Sequence, residues 1–508
     1  MPVSTAVGLE RRAKVVGYQL EKGNFGNLTE NLPQRIAIFG QANTANQGSI
    51  DNTPFQFTSA DEVGNKYGFG SQLHIIARII RGLNSDIVGG IPTWIYPQLE
   101  AGGAAARVQT ITVTGGPATA AGVIAVTING RSIIDGFTLN VAIASGDAVG
   151  DIATKIRDAI NNCLPCSVSA TAAAGVVTCT TKWRGASAQN SNIEILTEDT
   201  VGMAYAVAQT QAAAGDSTAE INSSLALFGN AWNTIVVNPY LKATNALFEA
   251  VNGIPGVVPG TGRYGATTWK PFICFTGDVT ADTVANVLNG LSNADATIVQ
   301  CAAPNSKGWP FEAAANVAAL VARQAQDEPH LDASEKTYLD MPIPIDEDEG
   351  VFGDYNNRDL LVKGGASTVI INAGKFQIED LITTYAPAGE NPPQFSYVRT
   401  LIQDFNFRYA ILVKEQENVI GKAIIANDKI PRVSNTVKPD QWKGVLFKLY
   451  EELEEKSIIV DAEFSKANTE VAIGENNPDR FETSIDYKRS GFSRIASTTA
   501  TAGFNLAG

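Results

Sequence analysis

Histidine is scarce, with two residues in 508, His74 and His330. General acid–base chemistry near neutral pH leans on imidazole more than on any other side chain, so a catalytic triad has only these two positions to use. His74 falls in the apolar-periodic run "SQLHIIARIIRG", where a structural or surface place is the simpler reading. His330 lies in "QDEPHLDASEK" beside Asp327, Glu328 and Asp332. A metal site or a carboxylate-oriented base there competes with a solvated acidic loop. No G-x-S-x-G elbow accompanies either histidine, and no Walker A lysine motif occurs. A run of 18 apolar residues is also missing, so no membrane-spanning helix is expected. The first residues, "MPVSTAVGLERRAKVV", have no apolar core of the kind a signal peptide carries. The five cysteines are scattered and odd in number, which suits a reduced cytoplasm better than a disulfide framework. Basic residues are outnumbered 38 to 52, a net charge of −14, which argues against nucleic acid or an anionic membrane as partner.

What remains is a folded protein, 44% hydrophobic and 18% charged, long enough for two to four domains. Its chemical motifs are weak. "GTGRYG" satisfies G-x-G-x-x-G at Gly260, Gly262 and Gly265 but leads into a strand-like run rather than a helix, so a close-packed loop is the better reading than a phosphate cradle. "CLPC" at Cys163 and Cys166 has only Cys179 near it in sequence; a zinc site needs four ligands, so buried structural cysteines are expected. "DEDEG" (346–350) lacks EF-hand spacing and reads as a solvated acidic loop. The expectation is no catalytic set, no metal and no cofactor.

Residues 1–34 read as a polar arm with a β-like run carrying Val15, Val16, Tyr18 and Leu20. "QRIAIFG", a capping box from Ser59 to Glu62, the helix 71–82 and the strand "IPTWIYPQ" begin an α/β unit. From 101 to 215 the composition shifts to Ala, Thr, Gly and Val. Several strands are expected there, one hairpin turning at Asn129-Gly130, and one helix over 146–162 with Val149, Ile152, Ala153, Ile156 and Ile160 inward. We read this as an inserted, outward-facing α+β module. The α/β alternation resumes over 216–385: strands at "WNTIVVNPY", "KPFICFTGD" and "ATIVQCAAPN", helices at "LKATNALFEAVNG", "TADTVANVLNGLSN" and "PFEAAANVAALVARQAQ", then a hairpin around Gly374. Near-continuous apolar strands between amphipathic helices predict a mostly parallel sheet covered on both faces. Residues 386–480 form a C-terminal α+β domain with two long helices and the strand "SIIVDAEFS". The stretches 21–33 and 465–478 read as polar linkers.

The last stretch, 481–508, is a strand-like arm carrying Ile485, Tyr487, Phe492 and Ile495, with a slip in its two-residue alternation at "KRSG". Straight, the 24 residues from Phe481 to Phe504 would span roughly 80 Å, against a domain diameter on the order of 50 Å. Two shorter strands are therefore expected: the first pairing within its own domain, the segment from Phe492 onward reaching a neighbour or receiving a neighbour's arm.

This order of parts resembles the tail sheath proteins of contractile-tailed bacteriophages. The resemblance is carried by "PQRIAIFGQAN", "SADEVGNKYGFGSQLHIIARI", "GIPTWIYPQ", "WNTIVVNPY", "GASTVIINAGKFQIEDLITTY" with the helix after it, and "IDYKRSGFSRI". It implies an α/β core of subtilisin-like fold without protease activity. It also implies polymerisation as stacked hexameric rings around a tail tube, contraction that drives the tube through the host envelope, and subunits linked by strand exchange of N- and C-terminal arms. Partners would be the chain itself, the tail tube protein, and baseplate and tail terminator proteins. The location would be the virion, after assembly in the host bacterial cytoplasm. The C-terminal domain would lie nearest the tube; Lys438, Lys443 and Lys448 of its charged helix are candidates to meet acidic tube residues, against the equal reading of an ordinary solvated helix with the acidic end "EELEE". The rival readings are another self-assembling surface or adhesion protein, which should carry an export signal, and a hydrolase of subtilisin-like fold, which needs a histidine close to Asp and Ser.

Overall fold

In a computed structural model of the chain, the run "IAIFGQ" (Ile36–Gln41) is a strand buried along its whole length. The structure describes residues 30–51, 53–82, 87–197, 201–215, 218–240, 242–390 and 393–502. Strand 36–41 lies near the middle of a six-stranded sheet whose order is 298–302, 273–278, 235–238, 36–41, 93–98 and 55–57. The first five are parallel, and Phe55–Phe57 closes one edge antiparallel. Alternate side chains serve opposite faces, as the period of a strand requires. Ile36 and Ile38 join the cluster containing Leu73, Ile76 and Val317, on the side of helices Gln72–Ile80 and Pro310–Asp327. Ala37 and Phe39 join Ile221, Phe228 and Phe248, on the side of helices Thr218–Ala226 and Asn245–Asn252. Both faces are covered, which is why these strands read as unbroken apolar runs.

The alanines of helix 310–327 let it approach the sheet closely. A Cβ on Gly277 would stand 1.6 Å from the Pro310 carbonyl oxygen, so strand 273–278 admits no side chain there. Helix 72–80 is buried on nearly every side, more completely than the single face expected from its periodicity.

Residues 108–211 fold on their own core of Ile111, Val126, Ile152, Ile156, Ile160 and Val177. They form a four-stranded antiparallel sheet (203–211, 108–115, 176–181, 168–173), a three-stranded one (193–197, 122–128, 140–143) and the helix Val149–Asn162. Strands before and after this stretch share the six-stranded sheet. Arg131 fastens the two units: it donates to Glu312 at 3.0 and 3.1 Å and to the Asp340 carboxylate at 3.1 Å. Trp183 packs on Trp309 with centroids 4.8 Å apart.

Several expectations need correction. The Asn129-Gly130 turn exists, with φ of 47° and 75°, but only the Ile128–Arg131 bridge extends it. The chain leaves the ladder because Arg131 is drawn to Glu312 while Asn129 Nδ2 donates to the Lys307 carbonyl at 3.1 Å. The helix expected over 280–293 shrinks to Val284–Leu288, bounded by the Thr283 cap and by Asn289-Gly290, where Gly290 has φ 80°. In "SIIVDAEFS" only Ile459–Val460 is strand; Asp461 then caps the helix Ala462–Ala467 by accepting from Phe464 N–H at 3.0 Å. Glu62 does not close its capping box on Ser59, since its carboxylate takes the N–H and hydroxyl of Thr58 instead.

Candidate assembly interface

One helix, Val398–Asn418, joins the α/β core to the C-terminal domain. Val398, Leu401, Ile402 and Phe405 pack into the main core, whereas Phe407, Ala410 and Ile411 belong to a separate cluster with the helix Pro439–Glu455. Trp442, Leu446, Leu449, Tyr450 and Leu453 form the buried stripe of the second helix at helical spacing. On that helix rests a two-stranded antiparallel ribbon, Thr469–Ile473 with Phe481–Ile485, registered from Thr469 opposite Ile485 to Ile473 opposite Phe481. Tyr450 shares a 2.9 Å hydrogen bond with the Thr469 hydroxyl, and Trp442 Nε1 donates to Thr483 Oγ1 at 3.1 Å. Among the described residues no third strand pairs with either outer edge of the ribbon.

This ribbon corrects the linker expected over 465–478, half of which is helix end and strand. The apolar residues Val471 and Ile473 are spaced for a ladder, and Phe481 and Ile485 supply the partner. The end of the N-terminal linker is also pinned. Leu32 is 2% exposed, and its N–H donates to Asn406 Oδ1 at 2.8 Å, while Gln34 N–H donates to Gln326 Oε1 at 2.9 Å.

After the ribbon the chain stays on its own subunit for nine residues, first on the C-terminal domain and finally on the α/β core. Tyr487 stacks on Phe407 at 3.8 Å between centroids and donates its hydroxyl to Asp404 at 2.8 Å. Arg489 forks onto the same carboxylate with two 2.7 Å bonds. Lys488–Arg489 bridges to Ile459–Val460. Arg399 donates to the carbonyl and hydroxyl of Ser490, each at 2.8 Å, and Gln403 Nε2 reaches that hydroxyl at 2.7 Å. Arg494 is the last anchor, bonded to Asp332 at 2.8 Å and to Asp380. Beyond it Ile495 is 89% exposed, and the chain to Ala502 has no partner strand among the described residues.

The residues named from sequence therefore separate. Ile485 and Tyr487 pack against their own domain, Phe492 is 40% exposed beside the Arg399 guanidinium, and Ile495 stands in solvent. Val15, Val16, Tyr18 and Leu20 lie outside the described residues. Lys438, Lys443 and Lys448 are not one stripe. Lys438 precedes the helix, with Nζ donating to the Asn427 carbonyl at 3.3 Å, Lys443 lies over the Phe447 ring, and Lys448 is exposed. Five-residue spacing turns each by about 140° from the last, so they do not line one face of the helix. Asp404, Arg399, Asp332 and Asp380, which hold the tail, were not found from sequence. Arg494, the only charge after Arg489, was the available signal, but its carboxylate partners are 162 and 114 residues away.

The weak chemical motifs are absorbed structurally. His74 is 2% exposed, its Nδ1 accepts from Gly70 N–H at 3.1 Å, and burial, with Arg78 and Lys182 nearby, pushes its pKa down to about 3. His330 is half-buried and lends its backbone carbonyl to Arg399 at 2.6 Å. The five cysteines are free and buried, and no metal-binding group of three ligands occurs among the described residues. "GTGRYG" forms a short 3-10 turn over Gly262–Tyr264, with no helix after it to receive a phosphate. No helix among the described residues is long and apolar enough to cross a membrane.

No family model matches the sequence. The Mu-like prophage FluMu tail sheath protein of Haemophilus influenzae is 24% identical over 424 residues, 82% of each chain. The crystal structure of the sheath tail protein of Desulfitobacterium hafniense overlaps 90% of this chain and 93% of its own, at 12% identity and a TM-score of 0.43. That of Listeria innocua overlaps 92% and 94%, at 12% identity and 0.45. The sequence likeness runs through most of both chains. Over most of its length the chain is similar to a phage tail sheath protein.

Proposed function

We propose that the chain is the repeating subunit of a contractile sheath, stacked as hexameric rings around a tail tube, and that its contraction drives the tube through the host envelope. The α/β core is read as a subtilisin-like fold that serves as a catalytically silent body, and residues 101–215 as a module inserted into it and turned outward. The C-terminal domain lies nearest the tube. Subunits assemble in the host cytoplasm, with the tube, baseplate and terminator proteins as further partners, and remain in the virion. Neighbours are tied by exchanged strands.

The observation that carries this reading is a ribbon whose two outer edges are unpaired among the described residues, beside a tail whose last anchor on its own subunit is Arg494. An added strand forming six to eight backbone hydrogen bonds, each worth about 0.5–1.5 kcal/mol net, supplies several kcal/mol per link. Such a link survives rotation of the bodies it joins, since only the segment between anchor and added strand must bend.

The test is a chain ending at Ile495. Every anchor described above is kept, so the truncated protein should melt within a few degrees of the full chain yet remain monomeric, with no tubes visible by electron microscopy. Tubes of normal length from the truncated chain would rule out strand donation from this end.

A further inference from the structure

Two exposed surfaces of this chain are complementary to each other. The first is the loop 420–438 between the two long helices. Ile420, Ile430 and Val433 stand 70%, 89% and 71% exposed there, interspersed with Lys422, Lys429 and Arg432. The only acidic residue of the loop is Asp428, which pairs with Lys429 at 2.8 Å while both stay open to water. In a chain of net charge −14, this is a local excess of positive charge around bare aliphatic side chains. The second surface is on the core, over 345–360. Ile345, Tyr355 and Leu360 are 70%, 69% and 52% exposed, and between them stand Asp346, Glu347 and Asp354. These three carboxylates have no cationic partner among the described residues; Asp354 instead caps the helix Tyr355–Lys363 by accepting from Asn357 N–H at 3.0 Å. Exposed apolar groups ringed by charge of one sign mark an interaction surface rather than ordinary solvated surface.

We infer that the basic, aliphatic loop 420–438 of one copy docks on the acidic, apolar segment 345–360 of another copy of this chain. The inference rests on the polymer reading above and adds to it a contact independent of the terminal arms. A head-to-tail contact between unlike patches propagates, closing into a ring or continuing as a helix according to its rotation. Opposite charge selects the register and disfavours the like-with-like pairing that a strongly acidic chain would otherwise meet everywhere. Being polar at its rim, such a contact weakens with salt and can be released without unfolding either patch.

The experiment uses the full chain. Equal amounts of 14N- and 15N-labelled protein are assembled and treated with a water-soluble carbodiimide, which joins carboxylates to lysines in direct contact. A mixed-isotope peptide linking 345–360 to Lys422 or Lys429 is expected. In parallel, K429E/R432E and D346K/E347K should each raise the protein concentration needed for assembly about tenfold or more, and the chain carrying all four changes should recover most of the loss. All four side chains are exposed, and unchanged melting of the variants checks that folding is intact. Assembled particles without the mixed-isotope link, or reversals that assemble normally, overturn this contact and leave the sheath reading standing. A wild-type chain that never assembles overturns both.

Discussion

Strand 36–41 and strand 481–485 are nearly equal in length and opposite in circumstance. The first is buried at every residue, hydrogen-bonded on both sides and packed between two helical layers. The second is half-exposed or exposed throughout and paired on one edge only. An isolated two-stranded ribbon is marginal in water, and an open edge invites another chain. The core strand is therefore where stability resides, and the ribbon is where backbone hydrogen-bonding groups stay open among the described residues.

Substitutions that remove the reason for that contrast test it. The largest effect is expected for Phe39→Ala. The ring is fully buried and meets Tyr96, Phe228 and Phe248 at 5.6, 5.9 and 5.1 Å between centroids. A loss of about 4 kcal/mol in urea unfolding is expected; a loss below 1 kcal/mol would mean that this face of the sheet repacks freely. Asp404→Asn comes next. It leaves Arg489 without its fork and weakens the Tyr487 hydrogen bond, at a cost of about 2–3 kcal/mol, held below the usual range for buried pairs because Arg489 still reaches water. Limited proteolysis should then cut within 486–495 before the core opens; simultaneous loss of both would show that tail and core are one cooperative unit.

The smallest effect is a pH dependence confined to the core. His74 is held neutral, with its pKa below that of the unfolded chain, so its contribution is fully present above about pH 6.5 and lost as pH falls toward 3. Between pH 7 and pH 5 the loss is about 2 kcal/mol. His74→Gln, which keeps an acceptor for the Gly70 N–H, should flatten that limb of the stability profile. An unchanged limb would place the acid sensitivity elsewhere.

Much of the fold was legible because its signals are local. The apolar runs at 36–41, 235–238, 273–278 and 298–302, and the positive-φ turn at Ala373-Gly374, need no distant partner to be recognised. The helix Tyr355–Lys363 was not expected, because Leu360, Leu361 and Val362 are consecutive rather than spaced along one face. The candidate interface was legible in outline only. Phe492 and Ile495 were named, but the anchor at Arg494 depends on Asp332 and Asp380, which no reading of the tail alone can reach.

By itself the sequence determined the buried strands of the main sheet and most of the long helices, that residues 481–508 cannot be one strand inside one domain, and a likeness to tail sheath proteins. Periodicity and length are properties of contiguous residues, so they survive in a string of letters. Only the tertiary structure decided where the tail's last anchor on its own subunit falls. That point is set by ion pairs between residues more than a hundred positions apart, whose proximity exists only once the core and the C-terminal helices have packed.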